Sequence, residues 1–510
     1  MRRIELWLLG AAAACLTGCA SEELAVAPER PDRPWSPPVN EGVIVSAPPN
    51  PRAPPEGYVL PANPSLAVVR APPALEDGHV YALAELIDLA ESHNPQTRIA
   101  WDEAKDAALA AGIARSAFLP NLTASVIGGY QTGQEDHTVG ANHQVGQTTL
   151  DGSISSVNLK WLLFDFGARA ALLDMAKQAS IISNVGFTAA HQTLIYHVSL
   201  AFYADAAARA KAATADQALK DAQAVEAAAD GRYKAGEGTV VETAQAAQAT
   251  AQAAFAKIRA DGGAEDAREA LINAMGLPPT TRISVEDIGS RNITADAAAP
   301  IDQLVASAIS RRPDVLSAYA AQEASLAKVR EARAEFMPKV FISASGAYTS
   351  HDLSIPAVPG FGGEGSYLDL NGDKFGGTVL LGITMPLFDG GIRDARLKQA
   401  HNDADRAATQ LDQVRDQAAR EVITAGTDVK TSVAAYHAAQ ALTRASQTSF
   451  NSALGAYRNG VGSITDVTVA ESKLLDARNL ETDSYSAALA AAASLALSAG
   501  ALGSPPIDGA

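Results

Sequence analysis

The sequence predicts a mainly α-helical fold, duplicated along the chain, with long antiparallel coiled-coil helices and four membrane-length β-strands. Three observations lead to this fold class. Short motifs of the first half return in the second half, long alanine-rich stretches contain no proline, and four segments alternate apolar and polar residues with the period of two that is typical of strands. One body built from two similar halves therefore accounts for the 510 residues better than several unrelated domains.

Four short motifs carry the duplication. The first two pairs are 218 residues apart and the last two are 224 apart, so one small length change between the halves accounts for all of them. Repetition at this scale indicates that the two halves adopt the same series of elements. The pairs are Asn94-Pro95 and Arg312-Pro313, Phe118-Leu119-Pro120 and Phe336-Met337-Pro338, Phe164-Asp165 and Phe388-Asp389, and Tyr233-Lys234-Ala235-Gly236 and Tyr457-Arg458-Asn459-Gly460.

The N-terminus has the features of an export signal. Arg2 and Arg3 precede an apolar run that ends in Leu16-Thr17-Gly18-Cys19. This ending resembles the lipobox of bacterial lipoproteins. The resemblance implies that a signal peptide of residues 1–18 is removed and that Cys19 becomes the lipidated, palmitate-bearing first residue. The alternative is an ordinary cleaved signal in which the cysteine is incidental.

A proline-rich segment, residues 19–78, comes next. Within it, residues 28–73 hold 14 of the 26 prolines of the chain, a composition that is typical of an extended tether without a core of its own. Such a tether could raise the body off a lipid anchor, and a plain disordered leader fits the composition equally well.

The two structural repeats are predicted at residues 79–280 and 301–504. A linker of residues 281–300 joins them, and a tail of residues 505–510 follows. Each repeat begins with two helices that end at a proline, continues with a β-hairpin, and closes with two long alanine-rich helices.

The β-hairpins are predicted at about 121–164 and about 340–387. Their alternating strands are about 10 residues long, the length that spans a bilayer when a strand is tilted. The segments that connect the strands, roughly 131–153 and 349–377, are rich in Gly, Asn, Asp, Ser and Thr, which predicts long polar loops.

Long helices are predicted after each hairpin, and each helical stretch is interrupted once by glycines. A helix over residues 168–231 would be about 95 Å long at about 1.5 Å per residue. Alanine lets such helices approach closely, which favours an extended antiparallel coiled-coil wall.

Four membrane-length strands cannot close into a barrel by themselves. The smallest membrane barrels have about eight strands, and an open edge in lipid leaves backbone groups unpaired at a cost of several kcal/mol each. Two chains would supply eight strands, whose inward side chains would fill the interior, whereas three chains would leave room for an aqueous lumen. The sequence therefore favours a homotrimer that shares one 12-strand β-barrel.

Composition argues against several functional classes. The net charge is −17 and no basic cluster occurs, which argues against nucleic acid as a partner. Past residue 20 there is no run of about 18 apolar residues, so no transmembrane helix is predicted. Gly360 to Gly365 fit G-x-G-x-x-G but lie in a predicted loop that does not open a helix, and the calcium-like series Asp369, Asn371, Asp373 lacks the required glycine. No other catalytic or metal pattern occurs, so we predict that the protein is not an enzyme and uses no cofactor.

The order of these elements resembles that of the TolC-like outer-membrane efflux proteins over about residues 79–504. The series runs from a helix pair through a hairpin that ends in Phe-Asp-Phe-Gly or Phe-Asp-Gly-Gly, a long helix and a glycine-containing tip to a returning helix, all of it twice. The resemblance implies a trimer in the bacterial outer membrane, with a 12-strand β-barrel above a periplasmic α-barrel. It also implies a passive exit duct that a periplasmic adaptor (membrane fusion) protein joins to an inner-membrane pump or ABC exporter.

The resemblance further implies a gate near the two tips, at the periplasmic mouth. Tyr457 and Glu242 would form a link that holds the mouth shut, and three copies of Asp466 would form a carboxylate ring that attracts cations. Some relatives have an arginine at the position of Gly462 and an acidic residue at that of Val469, so we expect a weaker link and a thinner ring. Alternatively, both carboxylates occur only because the start of a helix favours negative charge.

The two tips are the expected contacts of the adaptor, the alternative being plain turns between helices. A catalytic or metal-binding role is not expected of them. The tip residues are Gly236, Glu237 and Gly238 in the first repeat and Gly460, Val461 and Gly462 in the second.

Two other functions compete with a channel: a structural lipoprotein scaffold of the periplasm and outer membrane, and a trimeric adhesin. Adhesins gather their strands at the C-terminus, whereas the strands predicted here are internal and duplicated. Within the channel class, drug, metal and protein cargo all stay open, because a duct contacts its cargo only loosely.

Overall fold

The computed structural model describes residues 67–68, 70–76, 78–139, 142–288, 301–356 and 367–503. The chain divides after Ala74 into two units. In the N-terminal unit only residues 67–68 and 70–74 are described, and they form no helix or strand. The signal segment and Cys19 lie outside the described residues. All elements below belong to the second unit.

The helices of the described chain repeat in length between the two halves. Each half has helices of 11, 22, 67 and 35 residues, in that order. This repetition confirms the mainly helical, duplicated fold class. The helices are α1 (Leu83–His93), α2 (Pro95–Ser116), α3 (Ala168–Lys234) and α4 (Val240–Ala274), then α5 (Ile301–Arg311), α6 (Pro313–Ala334), α7 (Ile392–Arg458) and α8 (Ile464–Ser498).

The long helices α3 and α7 each extend for about 100 Å at about 1.5 Å per residue. Each is followed, after a five-residue tip, by a shorter helix that returns along it. Within the described ranges, no helix combines the length and the apolar character that crossing a membrane requires.

The strands form two separate sheets. The large sheet has the order β2-β3-β5-β6, and every neighbouring pair in it is antiparallel. The small sheet is a parallel pair, β1 with β4, which joins the start of the first repeat to the linker. The strands are β1 (Val80–Tyr81), β2 (Asn121–Val139), β3 (Asn142–Phe164), β4 (Ser284–Val285), β5 (Lys339–Pro356) and β6 (Tyr367–Thr384).

The strands of the large sheet are longer than the sequence predicted. They contain 19, 23, 18 and 18 residues, and their pairing continues as far as Val139 with Asn142 and Pro356 with Tyr367. The expectation of polar loops over 131–153 and 349–377 is therefore wrong for most of these residues. The reason is that ladder hydrogen bonds use backbone groups, so a polar side-chain composition does not by itself end a strand.

The large sheet exposes an apolar face near its helical end. On β6, Val379, Leu381 and Ile383 alternate along one face and are about 70% exposed, and on β2 the side chains of Leu122 and Val126 are equally open. Among the described residues, β2 and β6 each pair on one side only. The sheet of one protomer thus has two unpaired edges and an uncovered apolar surface.

A buried ion pair forms the corner between the first hairpin and α3. Asp165 Oδ2 accepts hydrogen bonds from the backbone N and the Nε of Arg169, both at 2.9 Å. The Arg169 Nη1 donates to the carbonyl oxygens of Ala117 and Leu162, and its guanidinium carbon lies 4.9 Å from the Phe118 ring centroid. One arginine therefore fastens the end of α2, the end of β3 and the start of α3.

The second repeat builds the same corner. Asp389 accepts from Arg393 Nε at 2.6 Å, Arg393 Nη1 donates to the Pro386 carbonyl, and the guanidinium lies over Phe336. The duplicated Phe-Asp and Phe-x-Pro motifs are thus the two sides of one contact in each half. The arginines that join them were not singled out in the sequence.

The two larger of four apolar clusters organise much of the helical part of the protomer. The first packs α1 against α3 and α4, and its fully buried members include Leu86, Val198 and Leu271. The second lies at the tips and joins α3, α4, α7 and α8 through residues such as Val225, Tyr457 and Val467. Small alanine side chains between these clusters allow the close approach of neighbouring helices that the composition predicts.

A fully buried carboxylate connects the helices to the small sheet. Asp205 on α3 accepts from Arg209 Nε and Arg268 Nε, both at 2.9 Å. These two arginines also donate to backbone carbonyls next to and within β4, including that of Ile283. Two cations and the strand backbone therefore satisfy a charge that would be costly if left unpaired.

Another acidic side chain, that of Glu471, is partly buried between the long helices near the tips. Glu471 on α8 faces Asp221 on α3, and the cation nearest to Asp221 is Arg478, at 3.7 Å. Burial, and to a smaller extent the negative charge of Asp221, raise the pKa of Glu471 to about 7. The wall near the tips therefore holds a carboxyl group that titrates close to neutral pH.

Replacing Arg169 with Met should destabilise the protein more than replacing Arg393 with Met. The Arg169–Asp165 side chains are 9% and 6% exposed, whereas those of Arg393 and Asp389 are 11% and 27% exposed. Loss of the first arginine leaves a buried charge unpaired, at a cost of about 3 kcal/mol or more. Thermal unfolding of the purified protein in detergent, followed by circular dichroism, measures the difference. Equal midpoints for the two variants would contradict the buried-corner explanation.

Replacing Glu471 with Gln should slow amide exchange of α8 near the tip at pH 8. Because the folded-state pKa of Glu471 is raised, folding disfavours its charged form, and the stability of this region decreases as pH rises from about 4.5 to about 7. The neutral glutamine escapes that loss. Hydrogen–deuterium exchange of wild type and E471Q at matched pH cancels the intrinsic rates. The difference in exchange rate between wild type and E471Q should shrink towards pH 5. A difference in exchange rate that does not depend on pH would contradict the prediction.

Candidate functional site

The two tips between the long helices share one backbone design. Gly236 and Gly460 have positive φ values of 78° and 76°, which L-residues with a side chain rarely adopt. The next amide in each tip reaches back across the helix end: Glu237 N donates to the Arg232 carbonyl at 2.9 Å, and Val461 N donates to that of Ala456 at 3.0 Å. Both long helices therefore end in the same glycine-dependent cap.

A second glycine in each tip is required by close backbone approach. A Cβ at Gly238 would lie 2.9 Å from the Tyr233 nitrogen, and one at Gly462 would lie 3.1 Å from the Tyr457 nitrogen. The repeated Tyr-x-x-Gly-x-Gly pattern thus encodes the turn itself. A side chain at position 462 would therefore require this tip to rearrange.

The returning helices begin with hydroxyl caps, and here the two tips differ. Thr239 Oγ1 accepts from Glu242 N at 3.2 Å, and Ser463 Oγ accepts from Asp466 N at the same distance. The Asp466 carboxylate turns back to its own cap, where its Oδ2 accepts from Ser463 N at 3.4 Å and from Ser463 Oγ at 2.7 Å. This arrangement is a capping box, and the side chain stays exposed.

Glu242 instead reaches the other tip. Its Oε2 accepts a hydrogen bond from the Tyr457 hydroxyl at 3.3 Å. Tyr457 is only 1% exposed within the protomer, although its counterpart Tyr233 in the first tip is 46% exposed. Burial and the nearby charge of Glu242 raise the pKa of Tyr457, so the hydroxyl is held as a donor. The structure thus brings together two of the three predicted gate residues and places Asp466 in a separate local contact.

A residue that sequence reasoning missed, Arg232, completes this contact. Its Nη1 donates to the Tyr457 carbonyl at 3.0 Å and its Nη2 to the Glu237 carbonyl at 3.2 Å. Its guanidinium carbon lies 5.1 Å from the centroid of the Tyr457 ring. A comparison of the halves could have drawn attention to Arg232, because the equivalent position in the second repeat is Ala456.

The outer surface of the tips is open and partly apolar. Val461 is 82% exposed, and Val240 and Val241 at the start of α4 are 62% and 64% exposed. Gly236, Glu237 and Gly460 are also exposed, whereas Gly238 and Gly462 are half-buried. Four of the six tip residues are thus exposed at the ends of the two helical hairpins.

The described residues contain no group of three or more His, Cys, Asp or Glu side chains that could hold a metal ion. The carboxylates at the tips are spread over separate helix starts. The geometry of the tips is that of a mechanical contact between helix ends, made of one tyrosine, one glutamate and one arginine.

Known proteins are similar to this chain in both of its halves. The family model described as "Outer membrane efflux protein" matches residues 86–277 and 304–501. Protein CyaE of Bordetella pertussis is 29% identical over 462 residues, which cover 90% of this chain and 92% of that protein. Outer membrane protein OprJ of Pseudomonas aeruginosa is 26% identical over 379 residues, which cover 74% of this chain and 75% of that protein.

The fold is also that of solved outer membrane proteins. The crystal structure of the outer membrane protein VceC from Vibrio cholerae superposes with a TM-score of 0.66 at 21% identity, over 82% of this chain and 96% of that one. Together with the family model, this similarity confirms the resemblance that the order of elements indicated. Because the family model covers well over half of the residues, in both repeats, the chain belongs to the outer membrane efflux protein family of the bacterial outer membrane.

Proposed function

We propose that three copies of this chain form a passive exit duct across the outer membrane and periplasm, within a tripartite efflux or type I secretion system. The observation that carries the proposal is the four-stranded sheet, whose edges β2 and β6 are unpaired among the described residues and whose apolar face is uncovered. In lipid each unpaired backbone group costs several kcal/mol. Pairing β2 of one copy with β6 of the next satisfies these groups.

Three copies suit a conduit better than two. With four strands per protomer, a trimer closes a barrel of 12 strands, whereas a dimer would close one whose interior is filled by its own side chains. The helices below the sheet would then line a tunnel of about 100 Å, a length that suits a path across the periplasm. Such a duct performs no chemistry, and the energy for transport comes from its partners.

The tips would face a periplasmic adaptor protein, which connects the duct to an inner-membrane pump or ABC exporter. The exposed valines and glycines at the helix ends support this assignment, because a flat ridge of small and apolar residues suits packing against another helical tip. In the closed duct, the link between Tyr457 and Glu242 would hold neighbouring helices together. Asp466, exposed beside the mouth, would contribute one carboxylate per copy to a ring of three.

A scaffold or adhesin without a transport role is the alternative. The contact between the tips disfavours it, because a scaffold has no need for a partly buried tyrosine–glutamate hydrogen bond at the far end of its long helices. We propose further that Cys19 carries a lipid anchor and that residues 19–78 tether it to the body.

Replacing Asp466 with Asn should reduce the cation preference of the channel. Three carboxylates around a narrow mouth concentrate cations, and the neutral amide removes that field. Purified protein in planar bilayers under a KCl gradient gives the reversal potential, which should move towards zero in D466N. The matched control is Asp476→Asn, since Asp476 is also an exposed carboxylate of α8 but lies farther from the tip. An unchanged reversal potential in D466N would disprove the ring, and absence of any channel in the wild type would disprove the duct.

Replacing Cys19 with Ser should abolish incorporation of radioactive palmitate in growing cells. The lipid is attached through the sulfur atom of the thiol, and serine has no sulfur. Changing Cys15 to Ser is the control, because the other cysteine precedes the cleavage position and should leave labelling intact. Continued labelling of C19S would contradict the lipoprotein assignment without bearing on the channel.

A further inference from the structure

We propose that Arg232 is the residue that positions Tyr457 for its bond to Glu242 and thereby couples the two tips of one protomer. The proposal rests on the duct function proposed above. A movement of either tip would then alter the contact that holds the mouth closed. Arg232 belongs to the first repeat, and the equivalent residue of the second repeat is Ala456.

Arg232 holds Tyr457 from two directions. Its Nη1 donates to the backbone carbonyl of Tyr457 at 3.0 Å, and its guanidinium carbon lies 5.1 Å from the centroid of the ring. The ring hydroxyl then donates to Glu242. Three helices, α3, α4 and α7, therefore meet at one tyrosine. A lysine in place of the arginine could not make both contacts, because it lacks the planar fork of donors.

The same guanidinium also contacts both tip turns. Its Nη2 donates to the Glu237 carbonyl in the first tip. In the second tip, the Tyr457 carbonyl that receives Nη1 also accepts from Gly460 N at 3.0 Å, so the arginine shares an acceptor with the turn. Movement of either turn would alter the donor geometry at Tyr457.

The space for this contact comes from Gly460. A Cβ at that position would lie 3.2 Å from Arg232 Nη1, which is tighter than ordinary packing. Gly460 therefore does more than supply a positive φ, since it also admits the guanidinium. One donor of the arginine is unsatisfied, because its Nε is buried with no hydrogen-bond partner within the described protomer. A charged side chain held with an unsatisfied donor suits a contact that breaks when the mouth opens.

The test compares single-channel recordings of wild type, Arg232→Met and Arg458→Met in planar bilayers. Arg458 is the matched control, since it is an exposed cation at the end of α7, next to Tyr457. Loss of a charge-assisted hydrogen bond is worth roughly a tenfold change in an equilibrium. We therefore expect the open probability of R232M to rise about tenfold, and that of R458M to stay near the wild-type value. Equal effects of the two variants would overturn the proposal, because they would reflect only a lost positive charge.

A second pair of variants separates positioning from general stability. In a Tyr457→Phe background the bond to Glu242 is already absent, so R232M should add little to the open probability. Fully additive effects would overturn the positioning role. Arg232→Lys, which keeps the charge, tests the need for the fork and should also open the channel. The heat resistance of the trimer in gel electrophoresis shows that each variant is assembled. If wild type and Y457F conduct as expected and R232M does not differ from wild type, only this inference fails, whereas a non-conducting wild type removes the duct itself.

Discussion

Backbone hydrogen bonding at the edges of the large sheet constrains the rest of the molecule. Strands β2 and β6 contain 19 and 18 residues and pair on one side only among the described residues. In water such edges are solvated, but in lipid their amides and carbonyls have no other partner than another strand. Once copies share a sheet, the helices that follow each hairpin run side by side. The Asp165–Arg169 and Asp389–Arg393 corners fix the direction in which these helices leave the sheet. The long wall is therefore a consequence of how each hairpin ends.

The two repeats share their backbone frame but differ in the side chains of the proposed gate. Helices of 11, 22, 67 and 35 residues recur without a change in length, and both tips use the same two glycines. The side chains around these glycines differ between the repeats. Tyr457 is buried whereas its counterpart Tyr233 is exposed, and Arg232 of the first repeat corresponds to Ala456 of the second. A backbone that must close against copies of itself tolerates little change in helix length. The contact at Tyr457 needs only one tyrosine with a donor and an acceptor around it, so it can arise in one repeat alone.

The sequence predicted the helices well because their limits carry strong local signals. Pro95 and Pro313 start α2 and α6, and Pro120 and Pro338 stand just beyond them, while glycines mark both tips. Strand length was underestimated because alternation marks only the part of a strand that has one apolar face, whereas pairing continues through polar residues. Arg169, Arg393 and Arg232 escaped notice for another reason. Arg169 and Arg393 each pair with an aspartate four residues earlier. The other acceptors of the three arginines include the backbone carbonyls of Ala117, Pro386 and Tyr457, and a carbonyl has no signature in a sequence.

The two interpretations of Asp466, as a helix cap and as a member of a carboxylate ring, do not exclude each other. In the capping box one oxygen accepts from the Ser463 hydroxyl, which leaves acceptor capacity on the other, and the side chain is exposed. The start of α8 favours negative charge at this position. A capped carboxylate is also held in one orientation, and fixed charges focus a field more effectively than mobile ones. In the proposed ring, the cap would therefore fix the orientation of each carboxylate. Glu242 differs, because its carboxylate accepts from the Tyr457 hydroxyl and makes no capping box with Thr239. One position of the repeat thus makes a local cap in the second tip and a contact between the tips in the first.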